Sequence, residues 1–470
     1  MSTSPGFDTL PLAPALLAGL EEMGFRRMTP VQASALPHVL AGRDVLARAR
    51  TGSGKTAAFG LGLLNRLEPG SSRVQALVLC PTRELADQVA REIRLLARRI
   101  PNVKVLGLCG GMPLGPQIGS LQHSAQVVVG TPGRVLKPLR QGTLRLHGLR
   151  SFVLDEADRM LDMGFAEEID ELISHVPVRR QTLLFSATYP RAIDGISRRV
   201  QHDPVHVDVT ADEPPPAIAQ HWCAVSPTGR DDALLSALHG WGGALNLVFC
   251  NTRVDCASVA SRLQDQGISA VALHGDLDQA ERAQMLVRFS NRSATVLVAT
   301  DVAARGLDIQ GVDAVFNYEL PAQPTVYVHR IGRTGRADRQ GVAVSLVSDR
   351  ERPRLAAIEA QLPDQEIRLC PLSEARQAEL LSARVTTLEI NGGRRSKLRP
   401  GDLLGALTAG NSIPGSAVGK IDLFDQTSYV AVDDVHVGRA LRLLNGQKIK
   451  GKQFRARALT LGTSFDRQTR

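Results

Sequence analysis

The sequence of 470 residues predicts an α/β fold in which two doubly wound parallel-sheet domains precede a small α+β domain. Short apolar strands alternate with helical segments as far as Ser348, which is typical of parallel sheets covered by helices. The stiff stretch Asp212–Pro216 interrupts this alternation. From residue 385 the order strand, helix, strand, strand, helix, strand predicts a ferredoxin-like fold. We therefore expect domains at residues 1–210, 217–372 and 385–462.

The composition excludes several classes of protein. Hydrophobic residues make up 43% and charged residues 22% of the chain, as in ordinary globular proteins, and no apolar run approaches membrane-spanning length. The six cysteines lack paired C-x-x-C spacing, which argues against zinc and for a reducing compartment. The amino terminus has no secretory pattern. We expect a cytoplasmic monomer without a membrane partner.

The positive charge of the chain is concentrated near its end. The net charge is +9, and the segment from Arg384 onwards holds 15 lysines and arginines against 7 aspartates and glutamates. The rest of the chain is therefore almost neutral. This distribution is typical of a nucleic-acid-binding appendage, and the alternative is a basic tail that only improves solubility.

The amino-terminal segment predicts an adenine site. Residues Phe7–Gly24 have the apolar spacing of an amphipathic helix. The amide of Gln32 offers a donor and an acceptor together, which fits the edge of adenine, and Phe7 could stack on the base. Taken alone, Gln32 is more often a helix-capping or surface residue.

The segment Ala49–Thr56 predicts a phosphate cradle between a strand, Asp44–Ala47, and a helix that continues from Ala57. Glycines in such a turn let backbone N–H groups approach an anion at the positive end of the helix. Lysine would neutralise the terminal phosphates and threonine would ligate Mg²⁺. Because the segment begins with alanine rather than glycine, it could by itself be an ordinary strand–turn–helix. The expected nucleotide contacts are Thr51, Gly52, Ser53, Gly54, Lys55 and Thr56.

Two carboxylates at the end of a second strand predict hydrolysis of the nucleotide. Asp155 and Glu156 follow the apolar strand Ser151–Leu154, and the carboxyl ends of strands are where open α/β sheets bind ligands. Asp155 is expected to partner Mg²⁺ and Glu156 to orient the attacking water. Together with the cradle, this pair predicts a nucleoside triphosphatase.

Three further strand ends in the first domain carry polar turns. The turns Pro81–Ala86 and Thr131–Arg134, with Gly110-Gly111 between them, combine hydroxyls, helix starts and arginines. This combination suits sugar and phosphate contacts without reading bases. The third turn, Ser186–Thr188, is suited to hydrogen-bonding the nearby carboxylates.

The second domain contributes arginines but has no phosphate cradle. Its strands Leu245–Cys250, Ala270–Leu273 and Thr295–Ala299 end in polar turns, and His329–Arg336 packs three arginines into eight residues. Such a cluster alone is usually a solvated face. The glycines between the arginines favour close approach to an anion, and we expect these side chains to reach the nucleotide of the first domain.

Taken together, these motifs resemble the DEAD-box RNA helicase family over residues 7–348. The motifs that carry the resemblance are Gln32, Ala49–Thr56, Pro81–Ala86, Thr131–Arg134, Asp155–Asp158, Ser186–Thr188 and His329–Arg336. The resemblance implies two RecA-like domains, ATP and Mg²⁺ as cofactors, and local unwinding of RNA duplexes without translocation. It also removes the doubt over Ala49, which is the usual first residue of this family's cradle.

The resemblance also implies a role for individual residues. Adenine would contact Phe7 and Gln32, phosphate and Mg²⁺ would contact Lys55 and Thr56, and the ribose would contact Asp308. Asp155 and Glu156 would be the metal-linked carboxylate and the catalytic base, with Arg333 and Arg336 as arginine fingers. Ser186 and Thr188 would couple hydrolysis to strand separation. The implied RNA contacts in the two domains are Arg83, Gly111, Thr131, Arg134, Thr300 and Arg305.

The carboxy-terminal domain predicts RNA recognition from loops. Its element order is that of an RRM, but aromatic residues for base stacking are sparse, with only Tyr429 on the third strand. The segments 397–408 and 446–452 resemble the RNA-binding tail of the bacterial DbpA helicases, which implies a hairpin of large-subunit ribosomal RNA and pre-ribosomal particles as partners. An RRM that docks protein is the alternative. The candidate contacts are Arg394, Arg395, Lys397, Arg399, Lys448, Lys450 and Lys452.

Four functional hypotheses therefore remain open. The first is an ATP-dependent RNA helicase tethered to ribosomal RNA by its tail, and the second is an ATP-gated RNA clamp or scaffold that does not unwind. A general RNA-remodelling helicase without ribosomal specificity is the third. A DNA helicase is the fourth, and it would differ in lacking contacts to the 2′-hydroxyl.

Overall fold

The computed structural model describes residues 5–50, 52–110, 114–122, 125–188, 191–210, 218–226, 228–304, 312–335, 340–362, 365–371 and 381–460. The chain forms two compact units, the first reaching to Pro215 and the second beginning at Pro216. Among these residues, no helix has the length and the apolar character needed to cross a membrane.

The first unit is a seven-stranded sheet flanked by helices. Its strands are β1 (Val45–Arg48), β2 (Ala76–Leu79), β3 (Val105–Leu108), β4 (Val127–Gly130), β5 (Ser151–Leu154), β6 (Gln181–Ser186) and β7 (Val205–Asp208). The helices are α1 (Pro14–Glu22), α2 (Pro30–Leu40), α3 (Lys55–Asn65), α4 (Arg83–Leu96), α5 (Leu114–Gln122), α6 (Pro132–Arg140), α7 (Ala157–Asp162), α8 (Ala166–Ser174) and α9 (Arg191–Val200). The strand order is β3-β4-β2-β5-β6-β1-β7, and every adjacent pair is parallel.

The second unit begins with a sheet of the same kind. Its strands are β8 (Ile218–Ala224), β9 (Asn246–Cys250), β10 (Ala270–Leu273), β11 (Val296–Thr300), β12 (Ala314–Asn317), β13 (Gly341–Val347) and β14 (Ile367–Leu369). The helices are α10 (Arg230–Trp241), α11 (Arg253–Asp265), α12 (Gln279–Ser290), α13 (Asp301–Ala304), α14 (Pro324–Ile331) and α15 (Arg352–Gln361). The order β10-β11-β9-β12-β13-β8-β14 is again parallel throughout. The predicted pair of doubly wound sheets is therefore confirmed.

The carboxy-terminal part of the second unit is a small antiparallel domain. Its elements are β15 (Val385–Ile390), α16 (Pro400–Thr408), β16 (Val418–Leu423), β17 (Ser428–Asp433), α17 (Val437–Gly446), β18 (Lys448–Ile449), β19 (Lys452–Gln453) and β20 (Ala456–Ala458). The four-stranded sheet has the order β16-β17-β15-β20, as the predicted ferredoxin-like fold requires. The hairpin β18–β19 was not predicted from the sequence.

The sequence explains why the parallel strands form where they do. The strands β2, β4, β5 and β11 consist mostly of apolar residues and are buried along their whole length, because helices cover both faces of the sheet. Several helices that follow strands of the two parallel sheets begin at a capping residue. Thr82 and Thr252 accept hydrogen bonds from the backbone three residues on, and Asp278 forms a complete capping box with Glu281.

One predicted element is wrong and one cannot be placed. The single helix expected over Phe7–Gly24 is a short 3₁₀ helix at Phe7–Thr9, followed by α1 from Pro14. Prolines at positions 11 and 14 explain the interruption, because proline lacks an N–H group and disfavours helical geometry in the residue before it. The connector between the second and third domains predicts one short helix over Ser373–Leu381, which falls outside the described residues apart from its last residue.

Candidate active site

The phosphate cradle of the first unit follows β1 and leads into α3. Gly52 and Gly54 have φ angles of +86° and +94°, which a residue with a side chain rarely adopts. Lys55 is 6% exposed, and its Nζ donates a hydrogen bond of 3.1 Å to the carbonyl of Ala49. The buried Oγ of Ser53 has no hydrogen-bond partner among the described residues. The cradle therefore holds an ammonium group and an unused hydroxyl beside a helix start, which suits the binding of a phosphate chain.

The carboxylate pair follows β5 in the same unit. Asp155 and Glu156 are 4% and 5% exposed, and the backbone N–H of Glu156 donates 3.0 Å to Asp155 Oδ1. Glu156 has the left-handed angles φ 50° and ψ 51° at the start of α7, and its carboxylate accepts from Arg159. Burial, opposed by Lys55 and reinforced by Glu156, raises the pKa of Asp155 to about 7. An anionic Asp155 therefore needs a cation close by.

The turn after β6 joins this cluster through Asp158. The N–H and the hydroxyl of Thr188 donate 2.8 and 2.6 Å to Asp158 Oδ2, while Ser186 Oγ donates 2.7 Å to the carbonyl of Thr188. Burial alone would raise the pKa of Asp158, but the hydrogen bonds from Thr188 hold it below its usual value. The hydrogen bond expected between this turn and a nearby carboxylate is therefore present, and its acceptor is Asp158.

The strand order brings these three segments together. The strands β5, β6 and β1 are consecutive neighbours in the sheet, so their carboxyl ends lie side by side at one edge. The N–H of Ala49 donates 3.0 Å to the carbonyl of Ser186, which ties the cradle directly to the turn after β6. The cradle, the carboxylate pair and the Ser186–Thr188 turn therefore form one cluster.

Gln32 is held in place beside the cradle. It is 1% exposed, its Oε1 accepts 2.9 Å from Thr29 N, and its Nε2 donates 3.1 Å to the carbonyl of Gly54. The bond from Thr29 N is the glutamine half of a capping box at the start of α2, the bond to Gly54 fixes the amide beside the cradle, and part of the amide's capacity is left for a base. Phe7 is 4% exposed in the core and lies edge-on to Phe25, which is 42% exposed. The accessible ring in this region thus belongs to Phe25, which the sequence reasoning did not select.

The expected RNA residues of the first unit that the structure describes are Arg83, Thr131 and Arg134. Arg83 is exposed at the start of α4, and Thr131 is the amino-terminal cap of α6. Burial, together with the nearby Arg83, lowers the pKa of Arg134, whose Nε donates 2.9 Å to Gln117 Oε1. Gln117, missed from the sequence, fixes Arg134 because its own amide donates to the carbonyl of Cys109. Two guanidinium groups are thereby held close together, as binding to a phosphate backbone requires.

In the second unit, Arg330 has a structural role that differs from the role expected of the arginine cluster. It is 1% exposed, and its guanidinium donates two bonds of 2.7 Å to Asp301. Further bonds run to Asn251, Asn317 and the carbonyl of Glu319. Every donor on this side chain is thus used inside the unit, so Arg330 is not available to a nucleotide.

Replacing Arg330 with glutamine is expected to lower the free energy of unfolding of the second unit by about 3 kcal/mol, because Asp301 loses a buried ionic partner. Urea unfolding followed by tryptophan fluorescence isolates this unit, since both tryptophans of the chain, Trp222 and Trp241, lie in it. The control is Arg253→Gln, which removes an exposed ion pair with Asp276 and should change little. An Arg330→Gln variant with the wild-type midpoint would contradict this structural role.

The other expected site residues are only partly placed. Thr300 ends β11 and is buried, and Arg333 is 7% exposed just after α14. Thr51, Gly111, Arg305, Asp308 and Arg336 lie outside the described residues. Their expected roles remain predictions.

The outer face of the carboxy-terminal sheet is covered by the rest of the second unit. Tyr429, on the third strand of the domain, is 6% exposed and packs with Leu459 against Val287 of α12. The hydroxyls of Thr387 and Ser293 lie 2.6 Å apart, and Lys420 Nζ donates 2.6 Å to Ser290 Oγ. Because the face that an RRM normally offers to bases is engaged in this way, base stacking on Tyr429 is blocked in this structure.

The candidate basic residues of this domain lie on exposed loops and turns. Arg394 and Lys397 belong to the turn after β15, while Lys448 and Lys452 lie on the hairpin β18–β19. The two segments are joined by Lys450, whose Nζ donates 3.0 Å to the carbonyl of Lys397 and pairs with Asp402 at 2.7 Å. The predicted residues therefore form one exposed basic surface, within which Lys450 has a structural contact.

Known families and proteins match the chain over most of its length. The model of the DEAD/DEAH box helicase family matches residues 29–196, the helicase conserved C-terminal domain matches residues 230–338, and the DbpA RNA binding domain matches residues 387–458. The ATP-dependent RNA helicase DbpA of Escherichia coli is 50% identical over 454 residues, which cover 96% of this chain and 99% of that protein. The CshA helicase of Bacillus subtilis is 43% identical over 354 residues, covering 75% of this chain and 72% of that protein.

Solved structures agree with these matches. Dbp5 of S. cerevisiae bound to RNA and ADP BeF3 has a TM-score of 0.71 at 34% identity, covering 78% of this chain and 96% of that one. Mss116p bound to ssRNA and AMP-PNP has a TM-score of 0.71 at 25% identity, covering 78% of this chain and 80% of that one.

Proposed function

The chain belongs to the DEAD-box family of ATP-dependent RNA helicases, and we propose that its carboxy-terminal domain directs this activity to structured large-subunit ribosomal RNA during ribosome assembly. The observation that supports this most is the exposed basic surface formed by the turn after β15 and the hairpin β18–β19. This surface lies within the segment similar to the DbpA RNA binding domain. Such a substrate implies pre-ribosomal particles as partners and the cytoplasm as the location.

The proposed roles in hydrolysis follow the chemistry of each group. Lys55 and the cradle amides bind the phosphates, Thr56 and Asp155 hold Mg²⁺, and Glu156 orients water. Magnesium typically takes one or two protein oxygens and completes its shell with phosphates and water, so the hydroxyl of Thr56 and one carboxylate, that of Asp155, fit this ion. When bound, Mg²⁺ neutralises the charge that develops on the phosphates.

The remaining contacts are assigned to the base, the sugar, the transferring phosphoryl group and RNA. Gln32 reads adenine, and Phe25, supported by Phe7, is the accessible ring for stacking. Asp308 binds the ribose, and Arg333 and Arg336 act as arginine fingers. The Ser186–Thr188 turn transmits the state of the carboxylates to strand separation through Asp158. RNA phosphates and sugars contact Arg83, Gly111, Thr131, Arg134, Thr300 and Arg305.

Binding of the magnesium nucleotide is expected to release about one proton near pH 6 and almost none near pH 8. The physical reason is the pKa of Asp155, which burial raises to about 7, so that below this pH the carboxyl must lose its proton before it can meet a cation. Calorimetry in two buffers with different ionisation enthalpies measures the release. Asp155→Asn should abolish it, and a release that persists in this variant would contradict the assignment.

The experiment that tests the proposed specificity is steady-state ATPase activity without nucleic acid, with poly(A), with DNA and with ribosomal RNA. Salt is held constant because phosphate contacts make binding salt-dependent. Strong activation by ribosomal RNA alone is the expected result. Equal activation by every RNA would leave a general RNA-remodelling helicase, and activation by DNA would contradict recognition of the 2′-hydroxyl.

A second assay separates a helicase from an ATP-gated clamp. A labelled duplex with a ribosomal hairpin is expected to lose its short strand at a rate that depends on ATP. Slow hydrolysis with long-lived RNA complexes and no strand release would instead favour the clamp. Glu156 and Arg333 are both present, and they favour the helicase because each is assigned a role in ATP hydrolysis.

A further inference from the structure

The first unit contains a second cationic site, which lies at the opposite ends of the strands from the nucleotide cluster. A cavity of about 510 Å³ is lined by Gly42, Arg66, Arg150, Arg179, Arg180 and Gln181. Arg150 immediately precedes β5 and Gln181 begins β6, whereas the carboxylates and the Ser186–Thr188 turn follow the opposite ends of those strands. The arginine cavity, as we name it, therefore opens at the amino-terminal edge of the sheet, and none of the roles assigned above uses it.

Two of the four arginines are fixed in place by neutral groups. Arg66 Nη1 donates 3.1 Å to Gln181 Oε1, and the amide of Gln181 in turn donates to the carbonyls of Val39 and Arg43. Among the described residues, no ion pair involves Arg66. Its guanidinium is therefore oriented at the cavity wall without being neutralised there.

Arg180 is held in a similar way. Its guanidinium donates 2.7 Å to the carbonyl of Pro177 and 3.2 Å to that of Val200, and it lies 5.7 Å from the centre of the Phe152 ring. Its Nε is buried and has no partner within the described part of the chain. Burial, only partly opposed by Asp44, lowers the pKa of Arg180, so an anion in the cavity would relieve the cost of keeping this charge there.

Carboxylates near the cavity do not balance its charge. Glu68 pairs with Arg150 at 2.5 Å, but both side chains are largely exposed, so the pair is weak and exchangeable. Asp44 is buried and already accepts 2.7 Å bonds from the backbone N–H groups of Thr182 and His202. Arg179 is exposed. Four positive charges thus face one exposed carboxylate and one that is engaged elsewhere.

The ligand that fits this arrangement is a phosphate-bearing polymer. Guanidinium groups present planar pairs of donors that match phosphate oxygens, and a cluster of them is favoured where several anions are spaced along a chain. The chain is an RNA helicase, so RNA supplies this ligand. We propose that the arginine cavity binds backbone phosphates of structured RNA lying outside the strand held by the nucleotide-proximal loops. The proposal rests on RNA binding by the chain and not on a preference for ribosomal RNA.

The test compares the full-length wild type with a double variant, Arg150→Gln and Arg179→Gln. These two side chains are exposed, whereas Arg66 and Arg180 are held by internal hydrogen bonds and are left in place. The matched control is Arg91→Gln with Arg145→Gln, which removes two other exposed arginines of the same unit that do not line the cavity. Binding of a long structured RNA and of a short single-stranded oligonucleotide is measured over a series of salt concentrations.

For the long RNA, the double variant is expected to bind about 3- to 30-fold more weakly at 0.15 M salt, with the slope of log K against log salt reduced by about 1.4 to 1.8. ATPase activity stimulated by the short oligonucleotide should stay unchanged, which shows that the fold and the nucleotide site are intact. The control variant should keep the wild-type slope. A double variant with the wild-type slope, or a control variant with an equal loss, would overturn the proposal. Competition by polyglutamate with an unchanged RNA slope would assign the cavity to an acidic protein instead, and would also overturn it.

Discussion

Replacing Glu156 with glutamine is expected to reduce RNA-stimulated ATP hydrolysis by about 10²- to 10⁴-fold while leaving ATP and RNA binding in place. Glutamine has the same length and can still accept a hydrogen bond, but it cannot act as a base toward water. Glu156 has a left-handed backbone conformation at the start of α7, and the residue is 5% exposed. Steady-state turnover and equilibrium binding of a labelled nucleotide measure the two properties separately.

The controls for this variant address its buried surroundings. Glu156 also accepts from Arg159, so its replacement leaves that guanidinium without its carboxylate partner. Preserved nucleotide affinity shows that the site still folds. Glu167→Gln, an exposed change in the first turn of α8, should leave turnover unchanged. Wild-type turnover by the Glu156 variant would remove this residue from the role of base.

Neutralising the basic surface of the carboxy-terminal domain is the second large effect we expect. The full chain carrying Arg394→Gln, Lys397→Gln, Lys448→Gln and Lys452→Gln should bind ribosomal RNA about 10²- to 10³-fold more weakly at 0.15 M salt, as expected for four lost phosphate contacts. Activation by poly(A) should remain, because the RNA contacts of the two parallel-sheet domains are untouched. The quantity to measure is the preference of the protein for ribosomal RNA over poly(A).

The choice of residues in this experiment follows from the structure. Lys450 is kept because it bridges the two segments, and Arg399 is kept because its positive charge stabilises the carboxylate of Asp402 at the start of α16. Deleting residues 384–470 would uncover Val287 and Ser293, so a loss of activity could then reflect damage to the second unit.

A matched pair of variants completes the experiment. Lys448→Gln with Lys452→Gln should weaken binding about 10- to 30-fold. Arg439→Gln with Arg442→Gln makes the same charge change on α17 and should have little effect. Equal losses in the two pairs would show that only net charge matters and would contradict a defined RNA-binding surface.

Much of the active site could be predicted because its parts are local. A glycine-rich turn before Lys55 and two carboxylates after an apolar strand can each be recognised within a few consecutive residues. The reason is that phosphate binding and hydrolysis require those groups at those spacings. The hydrophobic runs of β2, β4 and β5 were equally clear, because strands covered on both faces are continuously apolar. Pro11 and Pro14, which interrupt the first predicted helix, act just as locally, because proline lacks an N–H group and restricts the residue before it.

What depends on contacts between distant residues could not be predicted. The sequence alone determined two parallel-sheet domains, a ferredoxin-like domain and the chemistry of the nucleotide site. Only the tertiary structure decided that β6 lies between β5 and β1, that Arg330 forms an internal ion pair with Asp301, and that α12 packs against the carboxy-terminal sheet. It also gathered Arg66, Arg150 and Arg180 around one cavity. The physical reason is that burial and charge pairing depend on which surfaces pack together, and the spacing of residues along the chain does not determine which surfaces these are.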